Sequence, residues 1–248
     1  GVVVVPAKHY GTYGSQTREH FVYALKEGVF RQKSNITGVV VSQGVAVIGK
    51  NCFNNSKTIR YVIIPDSVTA LGGSDSDNRE SSIVYQNRCF YGCVGLKKVL
   101  LGTGIKSIGR ETFCKCSSLK NIVIPENVTT IGVNAFDSCT SLVSIVLPKA
   151  LTSIADNAFA NCPNLKTVYY TGSETDWTNI SISSTGNTLI NDAVKVYNYT
   201  VTAQPLPEVS GAAADIDKIS KGPLIYICKD EESATLPASN KIFLKLPN

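Results

Sequence analysis

The apolar positions of this chain recur with one long period. Phe90, Phe113, Phe136 and Phe159 are spaced by 23 residues, and so are Phe30 and Phe53. The step from Phe53 to Phe90 is 37 residues rather than 23, which marks a single insertion. Apolar columns follow each Phe. Six residues on stand Ile36, Ile59, Leu96, Leu119, Leu142 and Leu165; nine on stand Val39, Val62, Val99, Ile122, Ile145 and Val168. Fifteen on stand Val45, Val68, Ile105, Val128 and Leu151. A repeat of roughly 20–29 residues is the length of a leucine-rich repeat.

One unit predicts three elements. In residues 119–125, Leu-Lys-Asn-Ile-Val-Ile-Pro, apolar and polar positions alternate as in a strand, and Pro125 ends it by removing a ladder donor. Residues 128–132 form a second short extended piece. Residues 134–139 form a tight helical or 3-10 turn that carries Phe136 inward. Each coil then returns about 4.8 Å further along, so equal positions stack, and no unit buries its apolar face alone. The predicted fold class is an α/β-type repeat solenoid, mostly β with short helical or 3-10 turns. Phe113 and Phe136 should be buried and stacked on their column neighbours.

Residues 1–29 are expected to form an N-terminal cap, with an extended Val2–Val5 run and a helix over residues 17–26 ended by Gly28. The array occupies residues 30–199, with the insertion at about 73–86. Residues 200–248 begin with a linker, Gln204-Pro205-Leu206-Pro207. They end in two strands, over residues 224–228 and 242–246, which form a small β cap or open another domain.

Residues 113–132, Phe-Cys-Lys-Cys-Ser-Ser-Leu-Lys-Asn-Ile-Val-Ile-Pro-Glu-Asn-Val-Thr-Thr-Ile-Gly, resemble the repeat of BspA-type leucine-rich-repeat proteins. Residues 168–172, Val-Tyr-Tyr-Thr-Gly, followed by Trp177, are similar to the segment that closes such arrays. The resemblance covers about residues 30–199. It implies a surface or secreted protein of a bacterium or parasitic protist, acting in adhesion or binding.

Composition agrees with a stacked array. Apolar residues make up 43% of the chain and charged residues 17%, below the usual quarter, because most coils bury both neighbouring faces. A net charge of +5 is too mild to imply a nucleic-acid partner. No apolar run approaches the roughly 18 residues of a membrane span, so no membrane insertion is expected within the chain. It opens at Gly1 rather than Met, so any signal peptide is expected to lie outside it, with the protein extracellular or on the cell surface.

Eight cysteines invite a metal or disulfide reading. Cys89, Cys93, Cys114 and Cys116 have spacings reminiscent of zinc ligands, but the register separates them. Cys93, Cys116, Cys139 and Cys162 share one inward column and are expected as buried free thiols. Cys89 shares the small-residue column of Cys52, Ala135 and Ala158; a disulfide between stacked neighbours such as Cys52 and Cys89 is the alternative. Cys114 falls with Asn54, Tyr91, Asp137 and Ala160 in a column expected to face outward, making it the most reagent-accessible thiol. His9 and His20 are too few for a metal cage. No nucleophile, metalloprotease or phosphate-loop motif occurs. No cofactor, no metal and no enzymatic activity are expected. Asp75-x-Asp77 in the insertion resembles a calcium loop only faintly, since Arg79 stands where a ligand is required. Asn35, Asn54, Asn127, Asn179 and Asn198 begin glycosylation sequons.

The pleat leaves two outward columns on the main strands. One is Tyr61, Lys98, Asn121, Ser144 and Thr167; the other is Ile63, Leu100, Val123, Val146 and Tyr169. The second is apolar although it points to solvent, which suits either cross-strand pairing or a partner. A basic column, Arg60, Lys97, Lys120 and Lys166, runs beside them, interrupted by Val143. The expected function is a cell-surface or secreted binding module, acting in adhesion or protein recognition through the sheet face. Its partner is then a protein or peptide, with a host extracellular protein or glycan as specific forms. The alternatives are polyanion or glycan binding through the basic column, which salt would weaken, and a structural spacer.

Overall fold

The chain winds as a solenoid in which each repeat from Phe30 to Phe159 contributes one turn around a buried Phe, one longer strand and one short strand. The structure, a computed structural model, describes residues 1–6, 8–13, 16–72, 87–201, 225–226 and 242–243. The insertion at 73–86, the linker at 204–207 and Cys228 lie outside the described residues.

The longer strands are β1 (Val2–Val5), β5 (Gly38–Val41), β7 (Tyr61–Ile63), β9 (Lys98–Leu100), β11 (Asn121–Val123), β13 (Ser144–Leu147), β15 (Thr167–Tyr170) and β17 (Val194–Val196). All their pairings are parallel and in the repeat register, for example Ile122 opposite Ile145 and Val168 opposite Lys195. They make a main sheet in two runs, β1-β5-β7-β9 and β11-β13-β15-β17. The short strands are β4 (Ala24–Leu25), β6 (Val47–Ile48), β8 (Ala70–Leu71), β10 (Ser107–Ile108), β12 (Thr130–Ile131), β14 (Ser153–Ile154) and β16 (Ser181–Ile182). They form a second sheet, again in two runs, β4-β6-β8 and β10-β12-β14-β16. The two breaks are staggered. The coil of Phe90 joins the N-terminal half through β9 and the C-terminal half through β10.

Between the sheets the predicted columns meet. Phe30, Phe53, Phe90, Phe113, Phe136 and Phe159 are fully buried. Their rings stack in one file, with centroids 5.1–5.4 Å apart and interplanar angles of 3–14°. Full burial of such a side chain is worth roughly 1.5–3 kcal/mol, and aromatic stacking adds to it. The file crosses both sheet breaks without interruption.

Each Phe turn is closed by hydrogen bonds from residue i+3 to residue i, such as Cys139 N to Phe136 O at 3.1 Å and Asp137 N to Asn134 O at 3.2 Å. This is the expected tight turn. Its chirality is new: the residues two before and two after each Phe carry positive φ. Asn134 (55°) and Ser138 (61°) bracket Phe136; Glu111 (55°) and Lys115 (62°) bracket Phe113.

Residues 17–26 are not helical. β3 (Gln16–Phe21) pairs antiparallel with β2 (Lys8–Tyr13), and β4 opens the second sheet. Pairing with existing neighbours outweighs local helical propensity here: Val22 and Leu25 are buried where a coil needs them. His9 and His20 are register partners in that hairpin. At the other end, α1 (Glu174–Thr178) is capped by Ser173, whose side chain accepts from Asp176 N while the Asp176 carboxylate accepts from Ser173 N. These bonds and Lys149 hold the Asp176 carboxyl below the usual range. A second short helix, α2 (Thr188–Asp192), precedes β17. Of the two expected C-terminal strands, β18 (Ile225–Tyr226) and β19 (Ile242–Phe243) are described and pair in parallel.

Candidate functional site

The alternation of each main strand sets one residue inward between two outward. Val62, Val99, Ile122, Ile145 and Val168 are buried, and the predicted face residues stand on either side of them. Register places Tyr61 beside Lys98 and Ile63 beside Leu100. It likewise lines up Asn121, Ser144 and Thr167, and Val123, Val146 and Tyr169. The ten residues therefore form two columns on one face of the solenoid, each in two runs that meet at the break between β9 and β11.

Exposure varies along that face. Asn121 is exposed, while Tyr61, Ile63, Lys98, Leu100, Val123, Ser144, Thr167 and Tyr169 are half-buried. Val146 is 8% exposed. The chain itself overlies one end of the apolar column. Asn198 N donates to Gly172 O at 2.8 Å and Tyr199 N to Tyr170 O at 2.9 Å, which brings the Tyr199 ring to 4.7 Å from that of Tyr169. Val201 then joins Leu100, Val123, Pro125 and Pro148 around a groove of about 370 Å³. At the opposite end, Tyr61 lies over Gly38. A Cβ there would come within 2.2 Å of the Tyr61 ring, so the glycine is what lets the ring lie down on β5.

Arg60, Lys97, Lys120 and Lys166 are all exposed at the N-terminal ends of the main strands. Their backbones are spaced by the ladder itself: Lys97 N donates to Arg60 O at 2.8 Å, and Lys166 N to Val143 O at 2.9 Å. At the C-terminal ends of the same strands the exposed Asp66 and Glu126 carry the opposite charge.

The cysteine columns are buried. Cys93, Cys116, Cys139 and Cys162 are each 0% exposed, and their thiols donate to the carbonyls of Phe53, Phe90, Phe113 and Phe136 at 3.1–3.2 Å. Ser56 makes the same bond to Phe30 O. The seven described cysteines are free thiols. Burial pushes Cys93 and Cys162 up to about 12. Cys114 does not face outward as expected. It is 3% exposed, its thiol sits 3.8 Å from the Asp137 carboxylate, and burial followed by that charge raises it to about 12. The reason is local: the Cys114 thiol turns toward Asp137 of the next coil, while Tyr91, Asp137 and Ala160 in the same column stay partly exposed. Such thiols are poor nucleophiles, since reactivity requires the thiolate. Among the described residues no three His, Cys, Asp or Glu side chains converge as for a metal ion.

Two features were not anticipated. Arg88 and Arg110 both pair with the buried Glu111, and Tyr91 lies between the cations of Arg88 (4.7 Å) and Lys115 (5.2 Å). These residues come from neighbouring turns, and only the register brings them together. Of the sequons, Asn54 is 4% exposed and its amide donates to Asn51, whereas Asn35, Asn127, Asn179 and Asn198 are exposed.

A model of the BspA-type leucine-rich-repeat region matches residues 17–82 and 78–189 with six copies. A leucine-rich cell-surface protein of Faecalibacterium prausnitzii A2-165 superposes with a TM-score of 0.55 at 29% identity, over 72% of this chain and 42% of that one. A leucine-rich-repeat protein of Bacteroides ovatus ATCC 8483 gives 0.56 at 32%, over 68% and 39%. One from Eubacterium ventriosum ATCC 27560, at 22% identity and 0.57, shares the fold. The chain thus spans about two fifths of the length of the first two. No curated protein matches it. No helix among the described residues is long and apolar enough to cross a membrane.

Proposed function

The chain belongs to the BspA-type leucine-rich-repeat family, and from that premise we propose that it is a cell-surface or secreted recognition module whose main sheet receives a protein partner. The observation that carries this reading is the apolar outward column. Ile63, Leu100 and Val123 stand half-exposed on rigid strands, so binding orders few side chains. Tyr61 is the anchor at the end away from Tyr199, because a tyrosine combines large area with a hydrogen-bonding tip. The surface location rests on the likeness to a bacterial cell-surface protein.

The test is surface plasmon resonance of the immobilised chain against purified host extracellular proteins, alongside the double variant Leu100→Asp/Val123→Asp. Two charges in the column should weaken capture by about ten-fold or more, as for truncation of a buried interface anchor. Capture that is equal on both surfaces sinks the reading. A spacer captures nothing on either.

A further inference from the structure

The basic column belongs to a wider belt that contains no acid. Each coil runs from the turn after its Phe to the end of its main strand through residues 33–42, 56–65, 93–102, 116–125, 139–148 or 162–171. These sixty residues include no Asp and no Glu. At the chain's average of 19 acids in 248 residues, four or five would be expected. The exposed cations of the belt are Lys57, Arg60, Lys97, Lys120 and Lys166. None of these five forms an ion pair among the described residues, unlike Arg88 and Arg110 with Glu111, or Lys149 with Asp176. Like charges in adjacent strands repel, and among the described residues no ion pair to a carboxylate relieves these five.

We propose that this rim binds a linear anionic polysaccharide laid along the solenoid axis. Direction comes from charge. In the coils of Phe53 and Phe113 a ligand running parallel to the strands would pass from the basic rim to Asp66 or Glu126, whereas one running across the strands along the rim meets a single sign among the described residues. Spacing selects the chemistry. Successive columns advance by about 4.8 Å, close to the length of one pyranose ring in a linear sugar chain. Same-face side chains of an extended acidic peptide repeat at about 6.6 Å instead, and duplex DNA carries a charge every ~1.7 Å. Beside the cations stand neutral polar groups such as Ser117, Thr140 and Asn164, and Val143, 46% exposed, stands between Lys120 and Lys166 as an apolar step. The belt lies beside the apolar column and is independent of what occupies that column.

Heparin, as a sulfated linear probe, tests the proposal by titration of the full chain at low and at physiological salt. Binding should fall steeply with ionic strength. The triple variant Arg60→Gln/Lys97→Gln/Lys120→Gln should lose about ten-fold in Kd at low salt. Lys106→Gln, exposed on the second sheet, should lose nothing. Val143→Lys, which fills the gap between Lys120 and Lys166, should bind more tightly. All these positions are exposed, and circular dichroism confirms each variant folds. The proposal is overturned if the wild-type chain ignores heparin at low salt, or if Lys106→Gln weakens it as much as the triple variant. It is equally overturned if polyglutamate of matched charge competes as well as heparin. Leu100→Asp/Val123→Asp should leave heparin binding intact, so failure of the protein-partner reading and failure of this one are separable.

Discussion

The thiols of the Cys93 column do at the scale of one residue what Ser56 does in the coil before them: each donates to a Phe carbonyl of the preceding coil, in the repeats as a second donor beside the backbone N–H that closes the turn, such as Cys139 N on Phe136 O. A further hydrogen bond to a buried carbonyl contributes about 0.5–1.5 kcal/mol, which gives a small donor a reason to recur there. Because burial raises these thiols in the folded chain, their protonated form is tied to folding. Their contribution is fully present below the unfolded thiol pKa of about 8.5 and is lost as pH rises toward the folded values, which burial raises at all four positions. The melting temperature should therefore fall progressively above about pH 9. Replacing Cys139 by Ser keeps the donor and removes one titrating group, so its alkaline decline should be shallower than that of the wild type. A flat melting temperature between pH 8 and pH 10.5 would contradict the assignment.

At the scale of the element, the turn around Phe is held by two left-handed positions per coil. Asn51, Asn134 and Asn157 fill the first, and Asn55 and Asn161 the second, where Gly92 also sits. Asparagine and glycine tolerate this region, whereas other L-residues pay roughly 1–2 kcal/mol. Lys115, at φ 62° and with an exposed side chain, is the position to improve. Lys115→Gly should stabilise the chain by about 0.5–1 kcal/mol, read as a raised midpoint in urea; a lowered midpoint would mean that the contact with Tyr91 matters more. The strands and the Phe file were legible in the sequence because alternation and period report burial directly. The chirality of the turn was visible only as an excess of Asn and Gly two residues from Phe, a weaker signal that Glu111, Lys115 and Ser138 interrupt. Cys114 was misplaced because its thiol packs against Asp137 of the next coil, a contact the column alone does not reveal. The helix expected over 17–26 failed because of the strands the segment meets: β3 folds back on its hairpin neighbour β2, and β4 pairs with β6 one coil on. For the face, the pleat identified the outward columns, but the return of Tyr199 and Val201 across one end left no mark in the repeat.

At the scale of the molecule, the two sheet breaks fall one coil apart, like a lap joint. A plane that parts β9 from β11 must still cross the pairing of β10 with β12 and the contact between Phe90 and Phe113. In a stack with nearest-neighbour coupling, weak interfaces let the two halves unfold separately; staggering removes the single weak plane. Urea unfolding should accordingly give one transition, with far-UV circular dichroism and the fluorescence of Trp177, the chain's one tryptophan, sharing a midpoint. Two resolved midpoints would show that the joint does not hold.

Equality of the coils has a consequence for the gene. Residues 114–136 occupy one whole period, and removing them would join Phe113 to Asp137 in the same register that Phe136 has now. Every ladder would close on its next neighbour, and the rim of lysines would shorten by one step without losing its sign. Unequal recombination between coils can therefore lengthen or trim this protein in whole steps, so that reach becomes a heritable quantity adjustable without redesigning the core.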